Sequence, residues 1–186
     1  MEFRRGFKAE ANRIAVSIRQ KMLLAPTDPI NPDHICDMFD IEVIPLSQIN
    51  TNCSPFLNEH KTSFSALTVR RGIKTAIVHN DSHNIFRQRS NICHELAHCF
   101  LGHQGAPPLT ESGQRHHDGG IEAEANYLAG ALLLTNEGAI HILRNALLPI
   151  AQRTYGISRP MLDYRLRVSG ALAIHGRGSQ SRALAD

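Results

Sequence analysis

The sequence predicts an α+β fold. Three short runs of β-type composition, "IEVIPL", "FSALTVRR" and "KTAIVHN", gather in the first half of the chain, and the rest carries helical periodicity. The last two runs flank "RRGIK", a compact Gly-containing turn, and so read as a hairpin rather than as the strand–helix–strand alternation of a parallel sheet. A sheet of about three strands, packed on helices, is the expected architecture.

Taken in order, "KAEANRIAVSIRQKMLL" reads as an opening helix with Ile14, Ile18 and Leu23 among its buried positions, and "APTDPINP" breaks it with three prolines. A short helix at "DHICDMFD" precedes the strand "IEVIPL". After the hairpin, Asp81 or Ser82 is expected to cap a helix running from about Asn84 to Leu101, with Gly102 ending it. A polar loop, "HQGAPPLTESGQRHHDGG", leads to a further helix beginning near Gly120. Asn136 is the expected cap of the next helix, which Pro149 should kink or shorten. Gly156 suits a left-handed helix end, and Ser158 caps a last helix, "RPMLDYRLRV", closed by Gly170. These elements make one domain over residues 1–170, and the Gly/Ser/Arg-rich residues 171–186 read as a disordered tail.

Bulk properties exclude several classes. The 186 residues suit a single core, and a formal charge of +3 is too small to argue for a nucleic-acid surface. No apolar run reaches the ~18 residues of a membrane span, and "MEFRRGFKAE" lacks the apolar region of a secretory signal. The cysteines Cys36, Cys53, Cys93 and Cys99 form no CxxC pair, so reduced thiols in a cytoplasmic protein are expected.

The chemistry concentrates in "RSNICHELAHCFLGH". His94 and His98 stand four apart on one helix, so their imidazoles can meet at one metal ion. Glu95 between them projects beside the ion and can act as general base on a water. A catalytic zinc needs a third protein ligand. The helix "GGIEAEANYLAGALLLT" offers it: beside the apolar stripe Ile121, Ala125, Leu128, Leu132 runs a second stripe, Glu122, Asn126, Ala129, Leu133, whose lower half is polar. A carboxylate there lies near the core, where a bound cation offsets the cost of its burial. Glu122 is therefore the expected third ligand, Glu124 the reserve on another face, and Asn126 a residue that could orient a ligand. His103 falls beyond the helix end and off the ligand face, while His116 and His117 read as solvated loop residues. Cys93 and Cys99 suit buried apolar positions better than thiolate ligation.

The chain resembles the ImmA/IrrE-type zinc metallo-endopeptidases over roughly Ala9 to Gly170. The resemblance rests on "IEVIPL", "FSALTV…GIKTAIVHN", "RQRSNICHELAHCFLGH", "EAEANYLAGALLLT" and "YGISRPMLDYRLRVSG". It implies a small zincin-like domain in which the glutamate four before the Asn, here Glu122, is the third ligand of Zn2+. It also implies hydrolysis of a peptide bond by metal-activated water. The implied substrate is a helix-turn-helix transcriptional repressor, whose cleavage derepresses stress or mobile-element genes. The chain departs from the family pattern at Leu133-Leu134-Thr135-Asn136, where relatives often read Leu-Leu-Met-Pro. Tyr127, Tyr155, His103 and His116 are conceivable donors to the oxyanion, and "FSALTV" or "KTAIVHN" could offer an edge to a substrate strand.

A different class stays open beside this one. "LRNALLPIAQRTYGISRPMLDYRLRV" carries Arg144, Arg153, Arg159, Arg165 and Arg167 around a Gly-containing turn, an outline like a helix-turn-helix. The alternative is a zinc-containing DNA- or partner-binding regulatory module, similar to a toxin–antitoxin component, without proteolysis. Asp163 interrupts that basic surface and the small net charge argues against direct nucleic-acid binding.

Overall fold

The computed structural model describes residues 3–103 and 119–183, with side chains through 177. Helix α1 (Phe7–Lys21) opens the chain and sends Phe7, Ala11, Ala15 and Ile18 into the core at helical spacing. Leu23, expected in that core, is 95% exposed because the chain has already left the helix there, at φ 58°. Helix α2 (Pro32–Met38) begins with proline in its first turn, where the missing N–H costs no hydrogen bond, and Asn31 caps it.

The sheet has three strands: β1 (Ile41–Pro45), β2 (Ala66–Arg71) and β3 (Lys74–His79), in the order β1-β3-β2. β2 and β3 form the expected antiparallel hairpin, closed by the two-residue loop at Gly72 and Ile73. β1 pairs parallel to β3, so the sheet is mixed. β3 is therefore central, and of the two segments expected to offer an edge only β2 does so. Between β1 and β2 lie a 3-10 turn (Leu46–Gln48) and the short α3 (Ser54–Leu57). Buried Asn80 pegs this segment to the sheet, its amide donating to the carbonyls of Phe56, Lys61 and Phe64.

Helix α4 (Ile85–Phe100) packs between the sheet and α5 (Gly119–Leu133). Asn84 caps α4 by accepting from the Arg87 N–H. The expected cap Asp81 instead accepts from the backbone N–H and hydroxyl of Ser47, tying β1's exit to β3's. Four further helices follow: α6 (Asn136–Arg144), α7 (Leu148–Tyr155), α8 (Arg159–Val168) and α9 (Ala171–Ala183). Thr135 rather than Asn136 caps α6, its hydroxyl accepting from Gly138 and donating to the Pro26 carbonyl. Pro149 does not kink α6; it sits in the first turn of the separate α7, where proline is tolerated. The segment read as a tail continues as α9, which packs on α6 and α8 and buries Ala171. Tertiary contact supplies there what the Gly/Ser composition lacks.

The end of α5 is held by two buried arginines. A helix C-terminus leaves its last carbonyls without partners, which is costly in a core. Arg19 of α1 donates to the Leu132 and Leu133 carbonyls at 2.9 and 3.3 Å. Arg165 of α8 donates to the Leu134 carbonyl at 2.8 Å and to Asn136 Oδ1 at 2.9 Å. Gly130 makes room for Arg165, since an added Cβ would lie 2.9 Å from its Cδ. Both guanidinia thus fasten the exit from α5. Burial pushes Arg19 down to about 10, which still leaves it a cation at neutral pH.

Candidate metal centre

Helix α4 divides its circumference. Ile92, Cys93, Leu96 and Ala97 are buried in the core, which leaves His94, Glu95 and His98 half-buried on the other side. Glu122 stands in the first turn of α5, where the helix dipole favours a carboxylate. Because α4 and α5 pack side by side, this turn faces the two histidines.

His94 Nε2 lies 3.0 Å from His98 Nε2 and 3.3 Å from Glu122 Oε2, and His98 Nε2 is 3.6 Å from Glu122 Oε1. One donor atom from each of the three residues lies within 4.8 Å of the others, an arrangement that can hold a metal ion. A tetrahedral zinc with bonds of ~2.0–2.1 Å separates its ligand atoms by ~3.3 Å, so the observed spacings fit that ion. The side chains of His94, His98 and Glu122 remain 24%, 20% and 32% exposed, which leaves an approach for a further ligand from solvent. Burial, reinforced by His94 and opposed by Glu122, pushes the His98 imidazole down to about 4. At neutral pH that ring is uncharged and has a lone pair to offer.

Glu95 is fixed from the sheet. Thr68 Oγ1, on edge strand β2, donates to Glu95 Oε2 at 2.6 Å and leaves the other carboxylate oxygen free of that bond. Sequence reasoning did not single out Thr68, and its separation from Glu95 hides it from any local pattern. Glu124, the reserve ligand, is turned away: Arg4 Nε lies 3.1 and 3.4 Å from its two oxygens. Asn126 is exposed rather than behind a ligand. His103, set aside in the sequence reading, instead brings its Nδ1 to 3.1 Å from His98 Nδ1.

Among the conceivable oxyanion donors, Tyr127 is buried against Phe3, Phe7 and Arg165, and the Tyr155 hydroxyl donates to the Thr27 carbonyl. Neither faces the histidines. His116 and His117 lie outside the described residues. Burial pushes the Cys36 thiol up to about 12 and the Cys93 thiol higher still, so both remain neutral packing groups. The cysteines Cys36, Cys53, Cys93 and Cys99 are free.

The model of a peptidase family described as the IrrE N-terminal-like domain matches residues 36–167, from α2 to the last turn of α8. The chain belongs to this family. A search of curated proteins finds no match. Membership makes this a metallopeptidase-type domain, and the match encloses α4, α5, β2 and every residue of the His94–His98–Glu122 cluster. A peptidase domain implies a protein or peptide substrate. No helix among the described residues is long and apolar enough to cross a membrane.

Proposed function

We propose that the protein is a zinc-dependent endopeptidase of the cytoplasm, with His94, His98 and Glu122 as metal ligands and Glu95 as general base. The observation that carries this reading is the meeting of two Nε2 atoms and a carboxylate, with ligand atoms within 4.8 Å, beside a glutamate anchored by Thr68. Zinc bound there supplies Lewis acidity, polarising the scissile carbonyl and acidifying water.

The remaining steps belong to side chains. Glu95 accepts the proton of the attacking water and returns it to the leaving amine. Thr68 holds one Glu95 oxygen, so the carboxylate keeps a fixed direction through both transfers. The free edge of β2 runs past this carboxylate and exposes Leu67 and Val69. An extended substrate can add to that edge by main-chain hydrogen bonds, with its side chains read at alternate positions.

For the substrate we adopt a helix-turn-helix repressor, on the strength of the resemblance to the ImmA/IrrE-type enzymes. Co-expression with the repressor encoded next to this gene should yield defined fragments, and Glu95→Gln should remove them while metal content stays stoichiometric. Equal cleavage by wild type and Glu95→Gln, or a wild type that takes up no zinc, would overturn the mechanism.

A further inference from the structure

Resting on the reading of His98 as a metal ligand, we propose that His103 and Glu124 are positioning residues that set the tautomer of His98 and so tune metal affinity. The argument begins with which nitrogen does what. His98 Nε2 is the atom near His94 Nε2 and the Glu122 carboxylate, so Nε2 must carry the lone pair that a metal takes. A neutral imidazole then bears its proton on Nδ1, and that proton needs an acceptor. The nearest ring atom on that side is His103 Nδ1, at 3.1 Å. It can accept only if His103 in turn carries its own proton on Nε2.

Glu124 supplies the bias for that second tautomer. His103 Nε2 faces Glu124 Oε2 at 3.9 Å, close enough for a carboxylate to favour N–H over a lone pair there. The side chains of His103 and Glu124 are only 11% and 15% exposed, so water screens this interaction weakly. Arg4 holds Glu124 at both oxygens and is itself paired with Glu10 at 2.8 Å, which keeps the carboxylate directed. The chain Arg4–Glu124–His103–His98 thus reaches from the N-terminal segment to the metal face. It extends the common carboxylate–histidine–metal arrangement by one ring. His103 sits directly after Gly102, whose left-handed turn at φ 65° folds the chain back so that the imidazole reaches His98.

The test uses the zinc-bound protein, because without metal Glu122 and His94 themselves compete for a proton on His98 Nε2. Long-range proton–nitrogen correlation spectra at neutral pH should show His98 coordinated through Nε2 with its proton on Nδ1, and His103 as the Nε2–H tautomer. Finding His103 protonated on Nδ1, or His98 coordinated through Nδ1, overturns the proposal. Metal affinity is then read by competition for zinc with a chromophoric chelator. His103→Leu, which removes the acceptor and excludes water, should weaken zinc binding ~10–100-fold, and His103→Asn, whose amide oxygen can stand near the Nδ1 position, should recover part of the loss. Glu124→Gln should fall between the two. Far-UV circular dichroism and thermal melts confirm that each variant is folded. Unchanged zinc affinity in folded His103→Leu overturns the positioning role. A wild type that binds no zinc defeats the metallopeptidase reading and this proposal with it, whereas zinc bound equally well by wild type and folded His103→Leu defeats this proposal alone.

Discussion

The face shared by α4 and α5 and the pair α7–α8 both stand out in the sequence by clustered polar residues, and they spend them in opposite ways. On α4 and α5, His94, His98 and Glu122 turn toward one another at 3.0–3.6 Å and keep a surface open to solvent. On α8, Arg165 turns inward and is fully buried, where its guanidinium caps the end of α5 and lies 5.2 Å over the Tyr127 ring. Arg159 pairs with Asp163 on the surface at 2.9 Å. The first cluster leaves lone pairs for a ligand, whereas the second splits, with Arg165 spent inside the fold and Arg153, Arg159 and Arg167 left exposed. Spacing along a helix therefore announces that residues share a face, and burial decides whether the face is a site or a joint. The buried Arg165 also removes one of the five cations from the surface that a DNA-binding reading of this helix pair requires.

Four substitutions probe that contrast. The largest effect is expected at the ligands: Glu122→Ala should abolish stoichiometric zinc uptake, measured by metal analysis after dialysis, with the thermal melt of the metal-free protein little changed. Retained stoichiometric zinc in that variant would shift the ligand role toward Glu124. Next, Arg165→Met should cost ~2–4 kcal/mol in chemical denaturation, because it leaves a buried carbonyl and the Asn136 side chain without their donor. A loss below ~0.5 kcal/mol would show that Arg165 does not serve as a buried joint.

Gly156→Ala comes third, at about 1–3 kcal/mol. Gly156 adopts φ 61°, and an added Cβ would meet Arg89 Nε at 2.6 Å. Arg89 cannot easily swing aside, since it also donates to the Ile30 carbonyl and Asn31 Oδ1 while binding the Gly156 carbonyl. The smallest effect is expected for Arg159→Ala, within ~0.5 kcal/mol, because its exposed ion pair is well screened. In the same variant, salt-dependent binding to random duplex DNA lost relative to wild type would break the comparison by giving the helix pair a function of its own.

Much of the site was legible because it is local. His94, Glu95 and His98 lie within one helix, where a period of 3.6 residues converts spacing into direction. Glu122 could be chosen over Glu124 by the same wheel, and the structure brings Glu122 to the histidines and gives Glu124 to Arg4. The misjudged positions share a different cause. Leu23 and Asn126 continue an apolar or polar stripe on paper, yet their surroundings come from chain breaks and neighbours that no periodicity reports. Asp81 and Asn136 are good capping residues whose side chains were claimed by Ser47 and Arg165. α9 forms despite its composition because α6 and α8 receive its first turn.

By itself the sequence determined an α+β domain, its hairpin, its helices and the His-Glu-x-x-His pattern, since strand alternation, helical period and turn chemistry act over a few residues. Tertiary structure decided the rest. Thr68 meets Glu95 across 27 residues of chain, Arg4 meets Glu124 across 120, and His103 folds back onto His98 after Gly102 turns the chain. Hydrogen bonds of that kind depend on where whole elements dock, and docking is governed by the summed burial of the core rather than by any one motif.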